Sequence, residues 1–211
     1  MLRLLFTYLL LILISNIICD EPPCPTLDDF LIRSPYLAQF NPYLYEGIWY
    51  ELAFYDYTQF SKACGCTHLN WKLSKTNISI YSDDFITSCP YEPIWLRKNY
   101  TVHMNGIAND KYYPFFIPEI GFHIQFNNTV VYYRNNEINN NNFYDRAIQY
   151  QCKVDHLNKR IFTGINFLSR TYFNSDIERQ QVINEMINSA VNAGIEQKYL
   201  QELKIVQWKN C

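Results

Sequence analysis

The sequence predicts an all-β domain of antiparallel strands, followed by a single helix near the C-terminus. Short apolar and aromatic runs recur at intervals of about ten residues between residues 47 and 168, which is typical of an antiparallel meander or barrel. After residue 170 the apolar period lengthens from 2 to about 3.6, as in an amphipathic helix. The aromatic content of 17% also fits a β-rich body.

The predicted strands follow from the alternation of apolar and polar side chains. The first begins at Gly47, which permits a close approach of the backbone, and extends to about residue 57. The second, residues 67–73, has a clear period of two, because Leu69 and Trp71 alternate with polar neighbours. Further strands are predicted at about residues 78–82, 95–105, 121–125, 129–134, 145–153 and 160–168. The asparagine-rich run 135–142 predicts a lengthened hairpin loop.

Different patterns flank the strands. Residues 24–45 contain several prolines and predict an N-terminal arm with one short helical turn at about residues 27–32. Near the other end, Ser175 and Glu178 have the spacing of a capping box, and Gly194 is placed to end the helix. The predicted apolar stripe of this helix comprises Ile177, Val182, Ile183, Met186, Ile187, Ala190 and Val191. Residues 203–208 predict a last short strand.

The N-terminus indicates secretion. Arg3 precedes an apolar run that ends near Cys19, and a polar segment follows, which is the pattern of a cleaved signal peptide. A membrane anchor is the alternative, but the run is near the lower limit for spanning a bilayer and lacks a basic flank. A lipid-modified Cys19 is disfavoured by the bulky Ile18 before it. The sequence therefore predicts a signal peptide at residues 1–19 and a single secreted domain at residues 20–211.

Cysteines and glycosylation motifs agree with this compartment. Six cysteines remain after the signal peptide is removed, and an even number in a secreted chain predicts three disulfides. Six cysteines allow fifteen pairings, and their spacing alone does not choose among them. They are Cys24, Cys64, Cys66, Cys89, Cys152 and Cys211. Glycosylation sequons begin at Asn77, Asn99 and Asn127, and each predicts an outward-facing position.

The remaining motifs predict neither catalysis nor metal binding. The net charge is -2 and no basic stripe is present, so nucleic acid is not an expected partner. Cys64, Cys66 and His68 have the spacing of metal ligands, but in a secreted chain disulfide pairing of these cysteines is favoured. The four histidines are dispersed without a nucleophile motif, and the pair Asp83-Asp84 is expected in a solvated loop. We therefore expect no catalytic residues, no metal and no cofactor.

Two separated motifs resemble the signature of the lipocalin family. Gly47-Ile48-Trp49-Tyr50 matches the motif of its first strand, and Leu168-Ser169-Arg170 matches the arginine that follows its last barrel strand. The resemblance implies an eight-stranded antiparallel up-and-down β-barrel with one C-terminal α-helix packed outside. It also implies that Arg170 stacks over Trp49 at the closed end of the barrel, a cation–π contact of about 0.5–2 kcal/mol.

One part of the family signature is missing. The middle motif, Thr-Asp-Tyr, would fall on Asn141-Asn142-Phe143, which retains only an aromatic residue. This departure concerns the loop at the closed end and any receptor contact made there, and it leaves the barrel prediction intact.

The same resemblance implies a disulfide framework. By position it pairs Cys24 with Cys152 and Cys66 with Cys211, which leaves Cys64 to pair with Cys89. In the chain-entropy model, a bridge that closes a loop as long as 66–211 is worth about 4–5 kcal/mol.

The family also implies a cavity for one small hydrophobic ligand, such as a fatty acid, sterol or tetrapyrrole. Strand alternation places the predicted ligand-binding residues on the face of Trp49: Ala53 and Tyr55 on the first strand, Leu69 and Trp71 on the second, and Asn166 on the eighth. The expected function is an extracellular carrier or scavenger. A lipocalin-fold enzyme of the isomerase type and a protein-binding inhibitor or signalling protein are the alternatives. The resemblance leaves room for a peripheral association with membranes or lipoproteins, and it does not identify a protein partner.

Overall fold

The computed structural model describes residues 21–59, 64–74, 80–89, 99–107, 112–117, 122–136 and 143–208. The predicted signal peptide, the sequon at Asn77, Cys211 and most of the asparagine-rich run lie outside the described residues.

Eight antiparallel strands of the described residues close into an up-and-down barrel. They are β1 (Gly47–Tyr55), β2 (Gly65–Leu73), β3 (Ile80–Ser88), β4 (Asn99–Ile107), β5 (Tyr112–Ile117), β6 (Phe122–Asn136), β7 (Phe143–Val154) and β8 (Arg160–Ser169). Each strand pairs with the next in chain order. Strand β1 pairs with both β2 and β8, which completes the ring. The predicted barrel is thus confirmed.

Two strands differ from their sequence-based prediction. Strand β5 was missed, because it contains Pro114 and lacks alternation of apolar and polar residues. Residues 122–136 form the single strand β6, where two short strands were predicted, because the polar residues Asn127 and Asn128 interrupt the apolar pattern but not the pairing with β7. The predicted number of barrel strands, eight, was therefore correct, although β5 was missed and β6 was divided into two.

Among the described residues, one α-helix precedes the barrel strands in the sequence, and two follow them. The helices are α1 (Leu27–Arg33), α2 (Asp176–Asn192) and α3 (Gln197–Gln201), with short 3-10 turns at Pro35–Gln39 and Pro42–Leu44. Helix α1 begins with a complete capping box between Thr26 and Asp29. Helix α2 begins where Ser175 Oγ accepts a hydrogen bond from the amide of Glu178, and Gly194 follows it at a φ of +89°. None of the helices in the described ranges is long and apolar enough to cross a bilayer.

Helix α2 packs against the outside of the barrel. Its buried stripe contains Val182, Ile183, Met186 and Ala190, as predicted. Ile177 and Val191 were wrongly assigned to this stripe, because both are exposed. An ion pair between Glu185 and Arg146 joins the helix to β7.

The C-terminal segment enters the barrel wall between β1 and β2. Strand β9 (Lys204–Ile205) pairs with β1, in agreement with the predicted short strand. The amide of Val206 donates to the carbonyl of Leu52 at 3.0 Å, and the amide of Cys66 donates to the carbonyl of Gln207 at 2.8 Å. The segment therefore completes the wall where β1 and β2 separate. A Cβ atom on Gly65 would lie 2.2 Å from the carbonyl oxygen of Gln207, so this approach requires glycine.

Disulfides tie the flanking segments to the barrel. The predicted bridges Cys24–Cys152 and Cys64–Cys89 are both present. The first joins the N-terminal arm to β7. Cys66 is also disulfide-bonded, and its predicted partner Cys211 lies outside the described residues.

Candidate functional site

The base of the barrel, the end at which Trp49 lies, is closed by a stacked arginine. The guanidinium carbon of Arg170 lies 3.9 Å from the centre of the Trp49 ring, which confirms the predicted contact. The same guanidinium donates hydrogen bonds to the carbonyls of Tyr45 at 2.8 Å, of Ile48 at 2.7 Å and of Glu46. Burial lowers the pKa of Arg170 to about 10, so it remains charged at neutral pH. The arginine thus joins the segment before β1 to the end of β8.

Tyr45, which sequence reasoning did not single out, closes the base from the inside. Its ring centre lies 4.7 Å from that of Trp49 and 5.3 Å from that of Trp71. Its carbonyl accepts a hydrogen bond from Trp49 Nε1 at 2.8 Å, and its hydroxyl accepts one from Gln149 Nε2 at 2.9 Å. The available sequence signal was an aromatic residue two positions before Gly47, in a segment interpreted as an arm.

A β-bulge reverses the predicted face of Ala53. Arg146 faces helix α2 because it pairs with Glu185, and Ile148 shares that face of β7. Residues directly opposite each other in antiparallel strands point to the same side. Ile148 is opposite Phe167, and Phe167 is opposite Ala53, so Ala53 lies on the outer face beneath α2. The alternation predicted from Trp49 is wrong after the bulge between Glu51 and Ala53.

Tyr55 lies on the outer face for the same reason. It is opposite Ile165, which is itself opposite Tyr150 on the outer face of β7. The ring of Tyr55 packs against Tyr199 of helix α3, with their centres 4.9 Å apart. Neither Ala53 nor Tyr55 therefore belongs to the interior set of side chains.

The other three predicted binding residues do face the interior. Leu69 is opposite Trp49, and Trp71 stacks on Tyr81 with ring centres 5.0 Å apart. Asn166 donates through Nδ2 to Glu51 at 2.8 Å. Strand β2 follows the predicted alternation over Leu69 and Trp71 because no bulge interrupts its pairing there. Of the five predicted ligand-binding residues, Leu69, Trp71 and Asn166 therefore lie in the barrel interior.

The interior also contains a buried carboxyl group on β1. Glu51 shares the face of Trp49 and is 0% exposed. Its Oε1 accepts hydrogen bonds from Gln59 Nε2 at 2.9 Å and from Asn166 Nδ2 at 2.8 Å. Burial raises the pKa of Glu51 to about 8, and the nearby charge of Asp56 acts in the same direction. Its Oε2 atom has no hydrogen-bond partner among the described residues.

A second buried carboxyl group lies on β3. Asp83 is opposite Trp71 on one side and Met104 on the other, and it is 1% exposed. Burial, with a smaller contribution from Asp84, raises its pKa to about 8. Within the described part of the chain, neither Asp83 Oδ1 nor Trp71 Nε1 has a hydrogen-bond partner. The expectation of a solvated loop at Asp83-Asp84 was wrong because β3 extends to Ser88.

The two sequons within the described residues differ in exposure. Asn99 is exposed at the start of β4, and its Oδ1 accepts a hydrogen bond from Ser88 Oγ at 2.6 Å. Asn127 is half-buried on β6. Glycosylation at Asn77, Asn99 and Asn127 remains a prediction.

Comparisons with known proteins identify the fold. No protein-family model matches the sequence, and no curated protein matches it either. Solved structures do match over nearly the whole chain. Apocrustacyanin C1 covers 91% of this chain and 92% of its own, with a TM-score of 0.59 and 11% identity. Apocrustacyanin C2 covers the same shares with a TM-score of 0.58 and 12% identity. H1 crustacyanin from the lobster Homarus americanus covers 90% of this chain and 91% of its own, with a TM-score of 0.57 and 12% identity. Crustacyanins are lipocalins. At these identities the likeness concerns the fold alone, and it shows that the chain has the lipocalin fold.

Proposed function

We propose that the protein is a secreted lipocalin that binds one small hydrophobic ligand inside the barrel and carries or scavenges it. The observation that carries this proposal is a closed eight-stranded barrel whose base is sealed by Trp49, Arg170 and Tyr45. Barrels of this size leave an interior wide enough for side chains or one small ligand. The aromatic wall formed by Trp71 and Tyr81 suits a flat or flexible apolar body.

The proposed binding residues are Leu69, Trp71 and Asn166. All three face the interior, and all are almost fully buried. Leu69 and Trp71 supply apolar contact area. Asn166 supplies a carbonyl oxygen, Oδ1, which has no hydrogen-bond partner among the described residues. A few polar groups on a largely apolar wall would fix the orientation of a ligand.

The finer resemblance is to apolipoprotein D. It rests on Cys24-Pro25, on the motif Gly47–Leu52 and on Tyr150-Gln151-Cys152. The ground for a fatty acid, sterol or tetrapyrrole as the ligand class is the expected pocket, with mostly apolar walls and a few polar groups. The bridge Cys24–Cys152, implied by the same resemblance, is present.

Secretion is supported by the covalent structure. Disulfides form and persist in oxidising compartments, and the five cysteines in the described ranges are all disulfide-bonded. The apolar N-terminal run supplies the export signal in this proposal. The peripheral association with membranes or lipoproteins gains no support from the described surface.

The same five cysteines bear on the enzyme alternative. A thiol-dependent isomerase needs a free cysteine directed into the cavity. Cys24, Cys64, Cys66, Cys89 and Cys152 do not provide one, because each is in a disulfide. Titration of free thiols in the folded protein would extend this test to the whole chain.

Mass spectrometry of material extracted from the natively secreted protein tests the proposal directly. We expect one small lipophilic compound in near-stoichiometric amount. Tryptophan-quenching titrations with a fatty acid, a sterol and a tetrapyrrole should then show saturable binding of at least one class. Failure of both measurements would contradict the carrier function and favour a protein-binding role for the same barrel.

A further inference from the structure

Three buried oxygen atoms that have no hydrogen-bond partner among the described residues lie close together on the interior face of β1, β7 and β8. They are Glu51 Oε2, Gln149 Oε1 and Asn166 Oδ1. Their residues are 0%, 1% and 3% exposed. Asn166 donates through Nδ2 to Glu51 at 2.8 Å and is directly opposite Gln149 in the pairing of β7 with β8. Opposite side chains in an antiparallel pair have Cβ atoms about 5 Å apart, so the three groups form one cluster, which we call the acceptor cluster.

Each amide of the acceptor cluster directs one of its two N–H groups to a neighbour. Asn166 directs its amide nitrogen to Glu51, and Gln149 directs its amide nitrogen to the hydroxyl of Tyr45 at 2.9 Å. Reversing the Asn166 amide would place its oxygen against the oxygen of Glu51, so this orientation is fixed by its neighbour. The remaining atoms are a carboxyl oxygen and two amide oxygens, and buried polar atoms of this kind need donors. A protonated Glu51 can donate from Oε2 to one amide oxygen, whereas an ionised Glu51 leaves all three oxygens without a donor among the described residues.

No basic side chain among the described residues forms an ion pair with Glu51. The charged group that acts on it is the acidic Asp56. Lys153 is in the interior phase of β7, but it lies four residues beyond Gln149, about 13 Å along the strand. A bound cation would therefore complement the acceptor cluster where the described side chains do not.

We propose that the ligand of this barrel is an amine, whose primary ammonium group is held by Glu51 together with the side-chain oxygens of Gln149 and Asn166. This inference rests on the proposed carrier function and names the chemical class of its cargo. An ammonium group offers three N–H donors, which equals the number of oxygens in the acceptor cluster. Its apolar body would lie against the wall formed by Leu69 and Trp71.

The protonation state of Glu51 fits this assignment. Burial raises the pKa of Glu51 to about 8, so the carboxyl group is largely protonated at pH 7. A cation in contact with a carboxyl group stabilises the charged form and lowers its pKa. Binding of an ammonium ion should therefore transfer the Glu51 proton to the buffer, whereas binding of a neutral ligand should not.

Titration calorimetry with three indole compounds tests the proposal on the intact secreted protein. Tryptamine, tryptophol and indole-3-acetate share the ring and differ in carrying a cationic, a neutral or an anionic group. We expect tryptamine to bind at least about tenfold more tightly than tryptophol, because a buried hydrogen bond between charged groups is stronger than one between neutral groups. Indole-3-acetate should bind more weakly than tryptophol. Repeating the tryptamine titration in buffers of different ionisation enthalpy should show proton release.

Two variants test whether the preference for tryptamine over tryptophol depends on Glu51. E51Q keeps an oxygen that can accept from Gln59 and Asn166 but removes the charge, and it should bring the affinities for tryptamine and tryptophol within about threefold of each other. E185Q makes the same chemical change on helix α2, outside the barrel, and should retain the full preference. A preference for tryptamine that survives E51Q would overturn the assignment to Glu51.

The wild-type titrations decide the matter even if E51Q does not fold. Equal affinity for tryptamine and tryptophol, or tryptamine binding without proton release, would overturn the amine proposal and leave the carrier function in place. Absence of binding by tryptamine also overturns it. The carrier function itself fails only if the extracted protein yields no lipophilic compound and the fatty acid, sterol and tetrapyrrole titrations show no binding.

Discussion

Arg170 and Trp49 are separated by most of the barrel in sequence and are stacked at 3.9 Å in the structure. The guanidinium covers the indole ring on one face, while its edge donates to three backbone carbonyls that lead into β1. One side chain thereby fixes the start of the first strand to the end of the last.

Replacement of Arg170 by lysine should destabilise the protein by about 2–4 kcal/mol. Lysine keeps the positive charge but lacks the planar fork that stacks on an indole and donates to several carbonyls at once. Urea unfolding followed by circular dichroism measures the change. R134K is the matched control, because Arg134 is 42% exposed in its pair with Asp145, and it should cost less than about 1 kcal/mol. Equal losses in the two variants would contradict the proposed structural role.

Stability should fall as pH rises from about 5 to about 8. Burial raises the pKa of both Glu51 and Asp83 to about 8. Between their unfolded and folded pKa values the folded protein holds protons that the unfolded chain releases, so rising pH favours unfolding. Each group contributes up to about 1.4 kcal/mol per pH unit in this window.

Urea unfolding at pH 5.5 and pH 7.5 tests this dependence in the wild type and in E51Q. The variant should lose about half of the pH effect and be more stable than the wild type at pH 7.5. Stability that increases with pH over this interval would show that the two carboxyl groups are ionised in the folded barrel.

Replacement of Trp71 by phenylalanine should abolish most of the ligand-induced quenching of tryptophan fluorescence. Trp71 packs between the rings of Tyr45 and Tyr81, and phenylalanine preserves an aromatic ring there without the indole. Alanine would be a poorer choice, because loss of a buried tryptophan costs about 3–5 kcal/mol. The control is W208F, because the Trp208 ring packs on Tyr50 at the outer face of the wall, and its quenching should match that of the wild type. Unchanged affinity and quenching in W71F would remove Trp71 from the proposed site.

Replacement of Gly47 by alanine should cost about 1–3 kcal/mol. Gly47 has a φ of +106°, which side chains other than glycine rarely adopt. A Cβ atom there would also lie 3.0 Å from Nη1 of Arg170. I48A, at the half-exposed neighbouring position, should cost clearly less. Thermal unfolding compares the two, and a neutral G47A would show that the first strand can begin with another backbone conformation.

The sequence predicted the barrel because most of its strands show the alternation of apolar and polar side chains that is typical of a half-buried strand. In β2, Leu69 and Trp71 alternate with polar residues and both face the interior, since the pairing of that stretch is regular. The alternation fails at Ala53 and Tyr55. The bulge that turns them outward is defined by the register of β1 against β8, a strand more than a hundred residues away. The residue types at positions 51–53 do not predict it.

The interior carboxyl groups show a second limit of sequence reasoning. Alternation along β1 puts Glu51 on the face of Trp49, but its burial depends on the closure of the whole barrel around it. Asp83 stands beside a second aspartate, a composition that favours loops, and only the extent of β3 places it inside. The burial of these charges results from tertiary pairing, which local pattern does not encode.

The position of strand β9 has a consequence for biosynthesis. Because Val206 bonds to Leu52 and Gln207 bonds to Cys66, the gap between the first two strands is filled by residues that are translated after all eight barrel strands. Closure of that side of the barrel consequently has to wait until this segment has been synthesised, and until then the nascent chain carries an unfilled seam.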